Sequence, residues 1–224
     1  MSMKTIVCYG DSNTWGYVPK ETESGLFPER YGYDVRWPGV LQKLLGSDFR
    51  VIEEGLSGRT TAFDDPLDTT LNGLSYLDCC MRTNMPIDVV ILMLGTNDTK
   101  EYLGKPAQII TAGLELLISK IKTGGYGTCE ADPEILVVAP AALSENIYSA
   151  WTSVYFGAGC LEKSKELGAL YEQTAKLHDC LFVDAQSAGV ESSTLDAVHL
   201  DAGAHKKLAD VIFRAVKAMP VCSK

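Results

Sequence analysis

Four short stretches of this 224-residue chain carry residue types that can do chemistry together. The first is Gly10-Asp11-Ser12-Asn13-Thr14-Trp15-Gly16. Small residues flank a serine where an apolar run ends, and glycine permits a turn that would strain other residues. A serine so placed can project its hydroxyl as a nucleophile, although Asp-Ser-Asn is also ordinary turn and capping chemistry. The second stretch is Gly55-Leu56-Ser57-Gly58-Arg59-Thr60. Its glycines allow close approach, and free backbone N–H groups in such a turn can face an anion. The third is Gly95-Thr96-Asn97-Asp98. The Asn97 amide is a neutral donor that can stabilise a developing oxyanion, or it can simply make an Asn-Asp turn. The fourth is Asp196-Ala197-Val198-His199. A carboxylate three residues before an imidazole can orient it and hold it in one tautomer, which is the base half of a Ser-His-Asp arrangement.

Other candidate residues point away from chemistry. Of the 3 histidines, His178 closes a helical pattern and His205 lies inside another, so both read as structural. The 7 cysteines are odd in number, irregularly spaced and without a C-x-x-C pair, which suits reduced thiols of a cytosolic protein. No G-x-x-x-x-G-K-[ST] occurs, no G-x-G-x-x-G follows a strand and no H-E-x-x-H is present, so neither a nucleotide cofactor nor a metal is expected. Asp65, Asp68 and the other acidic residues read as a solvated surface.

These residues must be positioned by alternating elements. Apolar, β-branched runs predict buried strands over 5–10, 49–54, 87–94, 135–139 and 180–183. Helical spacing predicts helices over 37–45, with Pro38 near its start, and over 71–82, 106–122, 160–177 and 202–218, the last with Asp201 as its N-cap. The alternation implies one α/β domain over 1–224, with a mostly parallel five-stranded sheet between helical layers. Ligands bind outside the carboxyl ends of such strands, and all four stretches lie there or just before the last helix. Three long connections break the pattern. Residues 11–36 hold Trp15, Tyr17, Phe27, Tyr31 and Tyr33. Residues 124–133 are Gly-rich. Residues 141–159 hold Trp151, Tyr155 and Phe156. Connections of this length are often functional, and the aromatics suit pocket lining or packing equally well.

Composition closes off several classes. With Lys plus Arg 20 and Asp plus Glu 29, the formal net charge is -9, so nothing draws the chain to nucleic acid or to anionic membrane surfaces. No apolar run reaches the roughly 20 residues of a bilayer span, and the N-terminus has no signal-peptide pattern. A soluble cytoplasmic protein is expected.

Taken in this order, the four stretches resemble the blocks of the SGNH hydrolases, also called GDSL esterases or lipases, and the resemblance spans essentially the whole chain. It implies a three-layer, flavodoxin-like α/β/α sandwich. It also implies Ser12 as nucleophile, with Asp196 and His199 completing the triad. The backbone N–H groups of Ser12 and Gly58 and the Asn97 amide would form the oxyanion hole. Asp11, Trp15, Thr96 and Val198, neighbours of these residues, are expected against the substrate. One position departs: the family often has asparagine two residues before the second-block glycine, and here Glu53 stands there. With Trp15-Gly16 and Asp98-Thr99-Lys100, it is similar to the bacterial arylesterase branch, which also transfers acyl groups and forms homo-oligomers up to octamers.

The reading is therefore acyl transfer on a small ester, with no cofactor. A carbohydrate O-acetylesterase is the nearest alternative. A thioesterase or lysophospholipase would need an extended apolar groove, which the sequence does not reveal. A non-catalytic binding protein of the same fold would be expected to have lost one of Ser12, Asn97, Asp196 or His199.

Overall fold

A computed structural model describes residues 3–23 and 28–220. Phe27, one of the aromatics of the first long connection, and Cys222, one of the 7 cysteines, lie outside the described residues. In chain order the elements are β1 (Lys4–Gly10), α1 (Ser12–Trp15), α2 (Trp37–Leu45), β2 (Phe49–Gly55), α3 (Gly73–Asn84), β3 (Val89–Met93), α4 (Ala107–Lys122), β4 (Glu134–Ala139), α5 (Ser153–Phe156), α6 (Cys160–Leu177), β5 (Leu181–Asp184) and α7 (Ala202–Lys217). The five strands lie in the order β2-β1-β3-β4-β5, and every adjacent pair is parallel.

The side-chain alternation of β1 divides the interior. Ile6 and Cys8 face one way and join Trp37 and Leu41 of α2 with Leu208 and Ile212 of α7. Val7 and Tyr9 face the other way, toward Leu77 of α3, Ile110 and Leu114 of α4, and Leu167 of α6. Both faces of the sheet are thus covered, as parallel sheets require, and the molecule is a single-domain three-layer α/β/α structure. The nearly continuous apolar sequence of β3 follows from this, since all its residues are buried.

The predicted elements are present, with local differences. The helix expected from residue 71 begins at Gly73, because the Asn72 side chain accepts from the N–H groups of Leu74 and Ser75 and caps it there. Asp201 caps α7 through the Ala204 N–H, as expected. The two long aromatic connections contain the one-turn helices α1 and α5. Asp65 is a correction: it is buried rather than solvated, accepting from Tyr102 Oη at 2.7 Å and pairing with Lys100 Nζ at 3.4 Å. Its partners lie 35 and 37 residues further along the chain, an approach that hydropathy cannot reveal. Asp68 is exposed and caps a short turn.

His205 shows what this packing costs a titratable group. It is fully buried in α7, accepts the Trp37 N–H at Nδ1 at 3.3 Å and meets the Tyr31 ring edge-on. Burial pushes its imidazole from an ordinary 6.5 down to about 4; Asp201 opposes this, and His199 and Arg36 add to it. Between these values the unfolded chain binds the proton and the folded chain does not, so the group's contribution to stability falls as pH drops from 6.5 toward 4. A His205→Gln variant, which cannot take up this proton, should lose less stability than wild type on acidification. The difference should approach about 3 kcal/mol between pH 7 and 4, read from urea unfolding at each pH. Parallel pH–stability curves would contradict it.

Candidate active site

The parallel register brings three strand ends side by side: Gly10 lies opposite Gly55 of β2 on one side and Met93 of β3 on the other. The chain turns directly from Gly10 into α1. A Cβ on Gly10 would meet Thr14 Oγ1 at 2.0 Å, and one on Gly55 would meet the Trp15 nitrogen at 2.2 Å, so only glycine lets this helical turn sit on the strand ends. Asp11 caps the turn by accepting the Asn13 N–H at 2.9 Å. Ser12 is therefore the first residue of a helical turn, where its backbone N–H has no intrahelical acceptor.

His199 arrives from the other end of the chain. Its Nε2 lies 3.0 Å from Ser12 Oγ and its Nδ1 lies 2.7 Å from Asp196 Oδ2. A carboxylate can only accept, so Nδ1 carries a proton, and Nε2 is the ring nitrogen that faces the serine hydroxyl. The other carboxylate oxygen of Asp196 accepts the N–H groups of Val198 and His199, and Thr152 Oγ1 donates to the Asp196 carbonyl. Burial alone would raise the Asp196 carboxyl, but the bonds and charge of His199 hold it below the usual carboxylate range.

Asn97 sits in a short turn after β3, and its Nδ2 donates to the Arg59 carbonyl at 3.1 Å. That bond uses one amide hydrogen and leaves the other for a ligand. Ser12, Gly58, Asn97 and His199 share the wall of one cavity of about 310 Å³. Tyr17, Trp151, Tyr155 and Phe156 are its aromatic walls, and Lys100 and Glu23 also line it.

Of the residues expected against the substrate, Val198 lines this cavity. Asp11 is buried and turned to its capping bond, and Thr96 is buried beside it in the turn before Asn97. Trp15 lies under the Arg30 guanidinium, 5.1 Å from its ring centre, and away from the cavity wall. None of these three lines the cavity; Asp11 and Thr96 are buried in its floor.

That floor is dense in polar groups whose importance sequence reading missed. Arg59 is buried, donates to the carbonyls of Gly10 and Glu54, and lies 4.3 Å over the Tyr9 ring. Asp98 accepts from the N–H and hydroxyl of Thr61, and so ties the residue that follows the second stretch to the third. Burial pushes the carboxyls of Asp11 and Asp98 each up to about 6. Asn13 spans the site: Nδ2 donates to the Val198 carbonyl at 3.3 Å and Oδ1 accepts the Leu200 N–H at 2.9 Å. It therefore grips both neighbours of His199. Its only sequence signal is its place beside the serine.

Comparison with known proteins decides the family. The model of the GDSL-like Lipase/Acylhydrolase family matches residues 8–207. The chain belongs to this family. Among solved structures, the aryl esterase of M. smegmatis is 40% identical, with a TM-score of 0.89 over 96% of this chain and 99% of that one. A carbohydrate acetylesterase from Sinorhizobium meliloti is 39% identical, with a TM-score of 0.89 and the same coverage, 96% and 99%. No curated protein sequence matches the chain. The family's name preserves Gly-Asp-Ser-Leu; this GDSL-like chain has Asn13 in place of the leucine.

Two variants test the geometry. Asn97→Ala should lower kcat toward esters roughly 100- to 1000-fold without unfolding the protein, and a loss under about threefold would remove Asn97 from the oxyanion site. Asn13→Leu should leave the Val198 carbonyl and Leu200 N–H without their partner. Destabilisation of about 2 kcal/mol is expected, with kcat down roughly tenfold or more as His199 loses register. Full turnover per folded molecule would show that His199 is held without it.

Proposed function

We propose that the protein is a serine esterase that cleaves short-chain, acetyl-type carboxylic esters through an acyl-enzyme. The observation that carries this reading is the hydrogen-bonded line from Ser12 through His199 to Asp196, opening onto a cavity that also holds Gly58 and Asn97. In the proposed reaction Ser12 Oγ attacks the ester carbonyl and its proton passes to His199 Nε2. Asp196 supports the imidazolium that results. The negative oxygen of the tetrahedral intermediate is held by the backbone N–H groups of Ser12 and Gly58 and by the free Asn97 amide hydrogen. His199 returns the proton to the leaving alcohol. Water then attacks the acyl-Ser12 carbonyl, again giving its proton to His199, and the acid leaves as the serine is reprotonated.

The volume of about 310 Å³ lies near the lower end for small-molecule sites, which favours a small acyl group. Aromatic walls would shelter the acyl-enzyme, so an alcohol could replace water and make the enzyme an acyltransferase. A carbohydrate O-acetylesterase is the second reading. Trp151 and Tyr155 favour it: they meet edge-to-face at 6.2 Å at the cavity, where aromatic faces can stack on a sugar. The acetylesterase neighbour at 39% identity supports it too. A homo-oligomer is proposed as well, supported by the exposed Tyr148, Val154 and Tyr155 of the connection beside the cavity. No described helix is long and apolar enough to cross a membrane, and a cytoplasmic location is part of the same proposal.

Hydrolysis of p-nitrophenyl esters from acetate to octanoate, by wild type and Ser12→Ala in parallel, tests the reading. Acetate should be the preferred ester, and the variant should lose roughly a million-fold in kcat, in practice to background. Acetylated xylose oligomers in the same assay separate the two substrate classes. A folded Ser12→Ala protein with wild-type turnover would overturn the mechanism.

A further inference from the structure

Glu53 stands at the end of β2, where the family often has asparagine, and the proposed chemistry gives it no task. Its side chain is only 12% exposed and is held by two arginines. Arg36 binds it in the bidentate manner, Nε to Oε1 at 2.7 Å and Nη2 to Oε2 at 2.6 Å, and Arg30 Nη2 reaches Oε2 at 3.4 Å. Both arginines hold the strap that follows the nucleophile turn. Arg36 Nη1 donates to the Tyr31 carbonyl at 2.9 Å, and Arg30 Nε donates to the Trp15 carbonyl at 2.6 Å. Arg30 pairs in an antiparallel bridge with Tyr17. The Tyr17 ring lies flat on the His199 imidazole, centres 4.0 Å apart and planes 17° apart.

We propose that Tyr17 is a positioning residue for His199, whose ring face supports the imidazolium during acyl transfer, and that Glu53 sets that ring in place through Arg36 and Arg30. This deepens the esterase reading and rests on it. An aromatic face carries partial negative charge and attracts a cation lying over it. In the proposed reaction His199 gains positive charge as it takes the Ser12 proton, so the contact strengthens toward the transition state. The other groups around the imidazole are Ser12, Asp196, Asp11, His205, and Lys100 and Glu23 across the cavity. They are the same in every variant compared below.

Wild-type turnover of p-nitrophenyl acetate and stoichiometric phosphonate labelling of Ser12 are measured first, and their absence would refute the esterase reading itself. Given both, kcat is taken per phosphonate-titrated site, so that unfolded molecules do not count. Tyr17→Leu should lower kcat about three- to thirtyfold with KM changed less than twofold. Tyr17→Phe restores the ring and should recover kcat to within about threefold of wild type. Glu53→Gln, outside the cavity lining, should lower kcat in the same direction. Joined to Tyr17→Leu it should add little further loss, because both changes remove one effect. If the leucine variant yields no folded protein, Tyr17→Met makes the same comparison. Wild-type kcat in Tyr17→Leu, or a change in KM alone, overturns the proposal. So does a Phe variant as slow as the Leu one. Fully additive losses in the double variant overturn the link from Glu53 to the ring.

Discussion

The grip of Asn13 on both neighbours of His199 is the interaction on which the site depends. Ser12 follows the first strand and His199 precedes the last helix, so the two are 187 positions apart. A parallel sheet delivers its loops to one edge, but only to within several ångströms, because loops are the least constrained parts of a fold. The contact of 3.0 Å between Ser12 Oγ and Nε2 is a far tighter requirement. Asn13 meets it by sitting on the same helical turn as the serine and binding the main chain on each side of the histidine. Any movement of the turn then carries the imidazole with it. Leucine at this position could pack against the loop but could not fix its register, since apolar contact is not directional.

Beneath the strand ends lies an arrangement of buried charge that works in the same sense. Arg59 is buried and bonds to backbone carbonyls, with the Tyr9 face over its guanidinium, while Asp11 and Asp98 are buried close by. Burying such groups is expensive unless each is fully hydrogen-bonded. The bonds they make are the ones that join the three strand-end loops: Arg59 ties β1 to β2, Asp98 ties Thr61 to the third stretch, and the Arg59 carbonyl orients the Asn97 amide. The desolvation cost is met in folding, before a substrate arrives. Donors held still in this way need no reorganisation when negative charge develops, which is where an oxyanion site gains its advantage.

Much of this was legible in the sequence because it follows from periodicity and strand ends. The apolar run ending at Leu94 can only be a doubly covered strand, and Asp201 before an amphipathic run can hardly be other than a cap. Ser12, Asn97, Asp196 and His199 could be singled out because each sits where an element ends and because the four stretches follow the order of the family's blocks; any one alone reads equally as turn or capping chemistry. What was not legible depends on tertiary approach. Asp65 looked like one more surface carboxylate; only the fold places Lys100 and Tyr102 on it. Trp15 and Thr96 were expected against the substrate because they lie near Ser12 and Asn97, yet neither is among the residues that line the cavity. Asn13 and Arg59 were overlooked for the opposite reason: their partners are 185 residues away or are main-chain atoms, and neither leaves a pattern in a single sequence.

The imidazole itself illustrates how two unlike contacts divide one task. The Asp196 carboxylate binds in the ring plane at Nδ1, and therefore fixes rotation of the ring within that plane and the identity of the protonated nitrogen. It does little to resist tilting about the bond axis. The Tyr17 face, parallel to the imidazole at 4.0 Å, resists that tilt and leaves the in-plane direction free. Together they leave Nε2 one direction, toward Ser12. Both contacts also favour positive charge on the ring, one through a formal charge and the other through a quadrupole. The second support depends on a strap outside the regular elements. That strap would be loose without the buried Glu53–Arg36 pair, so a carboxylate at the end of β2 acts on a histidine it does not touch.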